Sequence, residues 1–550
     1  LTLSASDASG RLLDRSLPER FGFRELWREG KELKFNGHPL RLRPRMGLWG
    51  GGTFLSDAFA RRGISFLKDM GFNTLLRPGN ERGEAELIRA ADELGFFTIA
   101  YLPTALADGG QFGNLKTQPI DDTLLDYLDR HQIERFHNNP SVIAYSGFGA
   151  MMPLDQSLKY SNHPALWGIR PVDSDQAIEE LKRNKVTNDL QVLRRQAAAI
   201  SFIRGIRKLD GTRLFLGHVG CGTGDGWGSF DYLNHLPLQE WEDYVVQWSR
   251  HGVQPIGSTE HGHPYPMSFV NHGVPDGDSE PWHTEYCAAL LGETAYRLER
   301  PEFRKLIRDI YDPVSGTFRT GAIHGHSAVA YTHREPAVQE YWAIHDRNIY
   351  RSWRLYGVNM GIEPFGEPHN YIREEVLNAP HRQVIATGRE FLKQTGAFPD
   401  RFLQNDYFRK EAIPAFPEQP TGRKPAVLTP LGETLYANNH EFLGFVADRS
   451  DLPTAKTHIY APGETVDKNL ALIWDGLKPA EVTISGEIRL SGKVLEKIRR
   501  TVRLTPGEIR LFPFRFTIPA DAGGTLAEPA GGSISVQFDC NGRESTDEFP

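Results

Sequence analysis

From Leu40 onward the chain repeats one pattern: a short apolar run, then a segment whose apolar residues recur at helical spacing. The runs predict strands at Leu40–Arg45, Phe72–Arg77, Phe96–Leu102, Ser141–Tyr145, Thr212–Leu216, Asp231–His235, Val253–Ser258 and Val358–Ile362. Between them the spacing predicts helices at Ser56–Met70, Glu84–Leu94, Asp122–Phe136, Asn188–Lys208, Leu238–Arg250, Val338–Leu355 and Glu374–Gln394. In the first of these, Phe59, Ile64, Phe66, Leu67 and Met70 form one apolar face. Strands that alternate with helices in this way predict an α/β fold, a (β/α)8 TIM barrel with insertions.

The pattern differs at both ends. Residues 1–38 alternate and turn, with Asn36-Gly37 as a hairpin signal, and predict a short N-terminal β segment, the end of a β domain. Residues 39–400 form the barrel. Residues 401–424, rich in proline and polar side chains, read as a linker. Residues 425–550 carry closely spaced strands with turns at Pro462-Gly463 and Pro506-Gly507, which predicts an immunoglobulin-like β-sandwich.

Composition narrows the partners. With 39% hydrophobic and 24% charged residues, the chain has material for a large core. A net charge of −7 without a long basic run argues against nucleic acid. No apolar run reaches the length of a membrane span, so no membrane partner is expected. Cys221, Cys287 and Cys540 are too scattered for a disulfide framework or a zinc motif. The start, Leu1-Thr-Leu-Ser, has no signal-peptide character and reads like the inside of a longer protein. Self-association into a homo-oligomer is left open.

The candidate chemistry centres on Val253-Gln-Pro-Ile-Gly-Ser-Thr-Glu260-His261-Gly262-His263, read as a strand that delivers Glu260 to a turn. A carboxylate at the carboxyl end of a buried barrel strand sits where such barrels do their chemistry, and its burial is costly unless it is paired. Arg77, at the end of the second strand, is the expected cation beside it. Trp49, Trp227 and Trp282 fall in predicted loops at the strand ends, where ring faces can serve as binding platforms. Asn234, His235, His218, His261 and Glu285 are candidate hydrogen-bonding residues for a bound substrate. His261-Gly-His263 and His324-Gly-His326 have metal-ligand spacing, but no carboxylate and third histidine stand in register, so no metal and no cofactor is expected.

Several stretches together resemble family 2 glycoside hydrolases. Phe21-Gly-Phe-Arg24 with Phe35-Asn36-Gly37-His38-Pro39-Leu40 resembles their junction of sandwich and barrel. Met70-Gly-Phe-Asn73-Thr-Leu-Leu-Arg77 is similar to the end of their second strand, and His137-Asn-Asn-Pro140-Ser-Val-Ile143 to the approach to their fourth. Pro255-Ile-Gly-Ser-Thr-Glu260-His-Gly262 resembles the segment that carries their nucleophilic Glu. The resemblance spans residues 1–395 and implies hydrolysis of a β-linked glycoside, with Glu260 as nucleophile and a carbohydrate substrate. A periplasmic or extracellular setting would suit such a substrate.

One position departs from it. The family's fourth strand ends Trp-Ser-x-Gly-Asn-Glu, whose Glu is the acid/base, and here the slot reads Tyr145-Ser-Gly-Phe-Gly149-Ala150. The acid is therefore unassigned, with Glu363 and Asp155 as catalytic candidates. A barrel that only binds carbohydrate is the alternative.

Overall fold

The computed structural model describes residues 1–18, 20–47, 56–76, 84–102, 122–147, 190–217, 224–233, 236–268, 270–271, 274–275, 281–302, 311–312, 317–318, 336–365, 371, 416–425, 428–525 and 527–550. The N-terminus forms an exposed hairpin of β1 (Ser4–Ser6) and β2 (Leu12–Arg15). A three-stranded antiparallel sheet follows: β3 (Leu26–Glu29), β4 (Glu32–Phe35) and β5 (His38–Leu40). Asn36 and Gly37 take φ of 47° and 84° between β4 and β5, the left-handed pair that a two-residue hairpin requires. The guanidinium of Arg24 donates to the carbonyls of Pro140 and Val142 at 2.9 and 2.7 Å and pins this part of the chain to the start of a barrel strand.

Eight parallel strands come next, in two runs. β6 (Pro44–Met46), β7 (Thr74–Leu76), β8 (Phe97–Leu102), β9 (Val142–Gly147) and β10 (Leu214–Phe215) lie side by side in chain order. β11 (Trp227–Tyr232), β12 (Ile256–Gly262) and, beyond two short hairpins, β17 (Gly361–Phe365) form the second run. The hairpins are β13 (Val270–Asn271) with β14 (Val274–Pro275), and β15 (Tyr311–Asp312) with β16 (Thr317–Phe318). A parallel bridge between Leu216 and Gly226 joins the runs on one side. On the other, Leu42 N donates to Asn359 O at 2.8 Å. Gly361 (φ 79°) lies so close to this second seam that a Cβ would run into the Leu42 carbonyl. The described ladders stop short of one continuous ring.

Alternation along β8 explains the two cores. Ile99 and Tyr101 join Leu33, Leu42, Leu76 and Met360 in an inner cluster, while Ala100 and Leu102 pack with Phe136, Phe202 and Ile203 on the outside. The outer layer holds α1 (Asp57–Asp69), α2 (Glu84–Leu94), α3 (Asp122–Leu128, continued by a π-helical turn to Ile133) and α4 (Leu190–Leu209). It continues with α5 (Leu238–Asp243), α6 (Val246–His251), α7 (Pro281–Leu291) and α8 (Pro336–Leu355). Ser56 caps α1 by accepting from Phe59 N. In α8, Val338, Tyr341, Trp342, His345, Ile349, Ser352 and Trp353 are buried at helical spacing.

The structure adjusts several expected boundaries. The first barrel strand is Pro44–Met46, because His38–Leu40 is taken by the preceding sheet. The helix expected over Leu238–Arg250 is two pieces. The expected linker is packed where it is described: Phe416 lies on Phe66 with ring centroids 4.4 Å apart, and the amides of Thr421 and Gly422 donate to Asp69 Oδ1 at 2.9 and 2.8 Å. A helix, α9 (Pro430–Asn438), precedes the expected sandwich strands, capped by Thr429. Helix 374–394 falls outside the described residues.

The C-terminal region is an antiparallel sandwich. One sheet holds β18 (Phe442–Ala447), β19 (Thr465–Trp474) and β22 (Ile509–Thr517). The other holds β20 (Ala480–Leu490), β21 (Lys493–Leu504), β23 (Gly532–Cys540) and β24 (Arg543–Phe549). Leu470, Leu472, Val482, Ile484, Val536 and Phe538 fill the space between them. Asp475, at the end of β19, receives Arg354 at 2.8 Å and Arg41 at 2.9 Å, with Arg43 at 3.6 Å, and ties the sandwich to the barrel. Among the described residues no helix is long and apolar enough to cross a membrane.

Candidate active site

The site is built on three neighbouring strands. β12 runs between β11 and β17, and it extends to Gly262 rather than ending before Glu260 as expected. Its register jumps within it. Ser258 pairs with Ser229 and Ile362, whereas Glu260 pairs with Phe230 and His261 with Pro364. One residue more is thus accommodated on β12, and the Thr259–Glu260 step lies across from Glu363 of β17. Bulges of this kind re-aim side chains at barrel rims.

Glu260 is partly exposed and Glu363 is fully buried. Glu363 Oε1 accepts from Arg45 Nη1 at 2.8 Å and from the Met46 amide at 3.0 Å. The same Arg45 nitrogen donates to the Pro364 carbonyl. Glu363 Oε2 is buried with no hydrogen-bond partner among the described residues. Burial pushes the Glu363 carboxyl up to about 7; Arg45 and the Met46 amide oppose that, and the charge of Glu260 adds to it. Arg45, Glu260 and Glu363 therefore gather on the first, seventh and eighth barrel strands.

Arg45 was missed as a site residue by sequence reasoning. A usable signal stood in Leu40-Arg-Leu-Arg-Pro-Arg45, where arginines recur at strand period. Buried guanidiniums need carboxylates, and Asp475 and Glu363 supply them.

His261 requires a correction. It was expected to bind sugar, but its ring turns to the helix layer, fully buried, with centroids 5.2 Å from His345 and 5.6 Å from Trp353 of α8. Next to it, Asp346 accepts from His345 Nδ1 and His263 Nε2, each at 3.2 Å. Burial pushes the Asp346 carboxyl up, but the two histidines outweigh it and hold it well below the usual carboxylate range. Burial pulls His261 and His345 down, so both rings are neutral at ordinary pH. His261, His345 and Asp346 are the described residues placed to hold a metal ion.

Trp282 and Glu285 sit on the outer side of α7, both exposed; Trp282 touches His283 edge-on and Glu285 accepts from Tyr296 at 3.4 Å. A helix surface, not a strand-end loop, carries them. Trp49, Arg77, Asp155, His218, Asn234 and His235 lie outside the described residues, as do Ala150, His324, His326 and the side chain of Trp227.

Several solved structures are similar to the chain. A β-D-mannosidase from Dictyoglomus thermophilum superposes with a TM-score of 0.51 at 12% identity, covering 99% of this chain and 55% of that one. A β-glucuronidase from Bacteroides uniformis (TM-score 0.39, 13% identity, 98% and 49% covered) and an exo-chitosanase from Amycolatopsis orientalis (0.44, 13%, 100% and 53%) are more distant. The chain spans about half the length of these proteins. The resemblance to family 2 glycoside hydrolases carried by the sequence motifs holds at the level of the fold. No protein-family model matches the chain, and no curated protein matches it in sequence.

Proposed function

We propose that the chain is the barrel-and-sandwich part of a β-glycoside hydrolase, with Glu260 as nucleophile and Glu363 as the proton donor. Glycoside cleavage uses two carboxyl groups with different tasks: one attacks or directs water, and the other stays protonated to release the leaving oxygen. Sites that do both near neutral pH set the two groups in unlike environments. The observation that carries this reading is the contrast between the neighbours. Glu260 is partly exposed, whereas Glu363 is sealed, held by Arg45 on one oxygen only and raised to about 7. In the resemblance the acid belongs to the fourth strand, where this chain has Ala150; Glu363 would fill that role from the eighth. The mannosidase of like fold makes a β-mannoside the first substrate to try.

The test is a panel of p-nitrophenyl β-glycosides (mannoside, galactoside, glucuronide, glucosaminide) with wild type, Glu260→Gln and Glu363→Gln. Hydrolysis of at least one, abolished in Glu260→Gln, is the expected result. Glu363→Gln should keep activity on 2,4-dinitrophenyl glycosides, whose leaving group needs no proton, and lose it on unactivated disaccharides. Equal losses on both substrate types would remove Glu363 as the donor.

Ala150 also favours a second reading, a barrel that binds saccharides without cleaving them. Saturable sugar binding with no turnover by wild type would establish it.

A further inference from the structure

Behind Glu260, on the helix side of β12, a group of polar side chains is closed off from solvent. His261, His345 and Asp346 are 0–1% exposed. Neither ring nitrogen of His261, nor Nε2 of His345, has a hydrogen-bond partner among the described residues. A buried polar atom left unanswered costs about 1–3 kcal/mol, so three in one place call for a compensating ligand. The proposed glycosidase chemistry makes no use of them, since they stand on the opposite side of the strand from the barrel interior.

One ligand atom from each of His261, His345 and Asp346 lies within 4.8 Å of the others. Ligands bound about 2.1 Å from a tetrahedral ion lie about 3.4 Å apart, so side-chain shifts of about an ångström close the set. We propose that His261, His345 and Asp346 form a structural binding site for a divalent transition-metal ion of the zinc class, clamping β12 to α8. Two imidazoles and a carboxylate are a zinc-type donor set; calcium and magnesium favour all-oxygen shells. His263, with Nε2 3.2 Å from Asp346 Oδ2, orients the carboxylate from outside, as outer partners of metal ligands do. The sequence contains half of this in His261-Gly-His263, but His261 and His263 play different parts, and the remaining ligands come from a helix some eighty residues on.

Because the three side chains are sealed, the ion enters during folding, and its binding free energy becomes folding free energy. The experiment is to unfold the 550-residue chain in guanidinium with a chelator, remove both, and refold in zinc sulfate or in EDTA. The expected result is about one zinc per refolded chain by elemental analysis after desalting, with a Tm several degrees above that of the EDTA sample. His261→Phe keeps a ring against His345 and Trp353 and should lose at least tenfold in retained zinc, together with the zinc-dependent Tm shift. Wild type that retains no zinc, cobalt or nickel and melts alike under both conditions overturns the site and leaves a buried stack of neutral histidines. Zinc retained undiminished by His261→Phe overturns it equally. These readouts do not involve glycoside turnover, so they stand apart from the test of Glu260 and Glu363.

Discussion

Arg45 Nη1 stands 2.8 Å from one oxygen of Glu363, while the other oxygen is buried without a partner among the described residues. The pair is therefore answered on one side only. An ionised carboxylate in that position keeps its charge in a dry site with one oxygen unanswered, which costs far more than leaving a neutral carboxyl there. Burial, which Arg45 and the Met46 amide offset only in part, pushes the Glu363 carboxyl up to about 7.

The raised Glu363 value makes stability pH-dependent in a definite direction. Its folded value is about 7 against 4.5 for an ordinary glutamate, so the folded state holds the extra proton between these limits. The contribution is fully present below pH 4.5 and is lost as pH rises through 7. Its size is about 3 kcal/mol. Urea unfolding of Glu363→Gln at a series of pH values should lack this decline, and an unchanged slope would show that Glu363 does not hold the proton.

Removing the cation should move the same titration upward. Arg45→Met leaves Glu363 with burial and Glu260 but without its guanidinium partner, which pushes its carboxyl further up. If Glu363 donates the proton, the alkaline limb of the pH–rate profile shifts to higher pH, at a stability cost of about 3 kcal/mol above neutral. A profile that does not move separates Glu363 from catalysis.

The barrel has a second buried network between β9 and β10. Asp210 Oδ2 accepts from Tyr145 OH at 2.8 Å and from Arg213 Nη1 at 2.7 Å, and Oδ1 takes the Thr212 hydroxyl at 2.6 Å and its amide at 2.8 Å. Burial alone would raise the Asp210 carboxyl, but these partners bring it down to about 2. Its stabilisation is present above the ordinary carboxylate range and is lost as pH falls through 2. Asp210→Asn should cost about 3 kcal/mol at pH 7 and progressively less in acid, whereas Tyr145→Phe should cost about 1 kcal/mol. Chemical denaturation at pH 7 and pH 3 measures both.

At the junction of barrel and sandwich, Asp475 is the carboxylate shared by Arg41, Arg43 and Arg354. Asp475→Ala leaves three guanidiniums, two of them buried, without their shared carboxylate, and about 3–5 kcal/mol of stability should go with it. Limited proteolysis should then cut near the junction in the variant before wild type is touched. Equal cleavage rates would show that apolar packing, not this cluster, holds the two parts together.

The periodic elements were legible because each depends on near neighbours in the chain. Apolar spacing placed α1, α2 and α8 almost to the residue, and Asn36-Gly37 specified its hairpin, since left-handed φ is a local property. Where elements compete for the same residues, local pattern was insufficient. Leu40–Arg45 reads as one strand, yet its start belongs to the N-terminal sheet and its end to the barrel. The helix at Pro430–Asn438 was not legible, because its burial is set by contact with α8, through Gln339 and the Leu431 amide.

The sequence by itself determined which residue types are available: Glu260 on an apolar run, Glu363 on the next, and Ala150 where the resemblance places an acid. Tertiary structure alone decided their partners. Arg45 meets Glu363 across 318 positions of chain, and the register jump in β12 turns His261 toward the helices and sets Glu260 across from Glu363. Charge pairing and burial act through space, and a one-residue shift in pairing reverses which way a strand side chain points, so neither can be read from spacing along the chain.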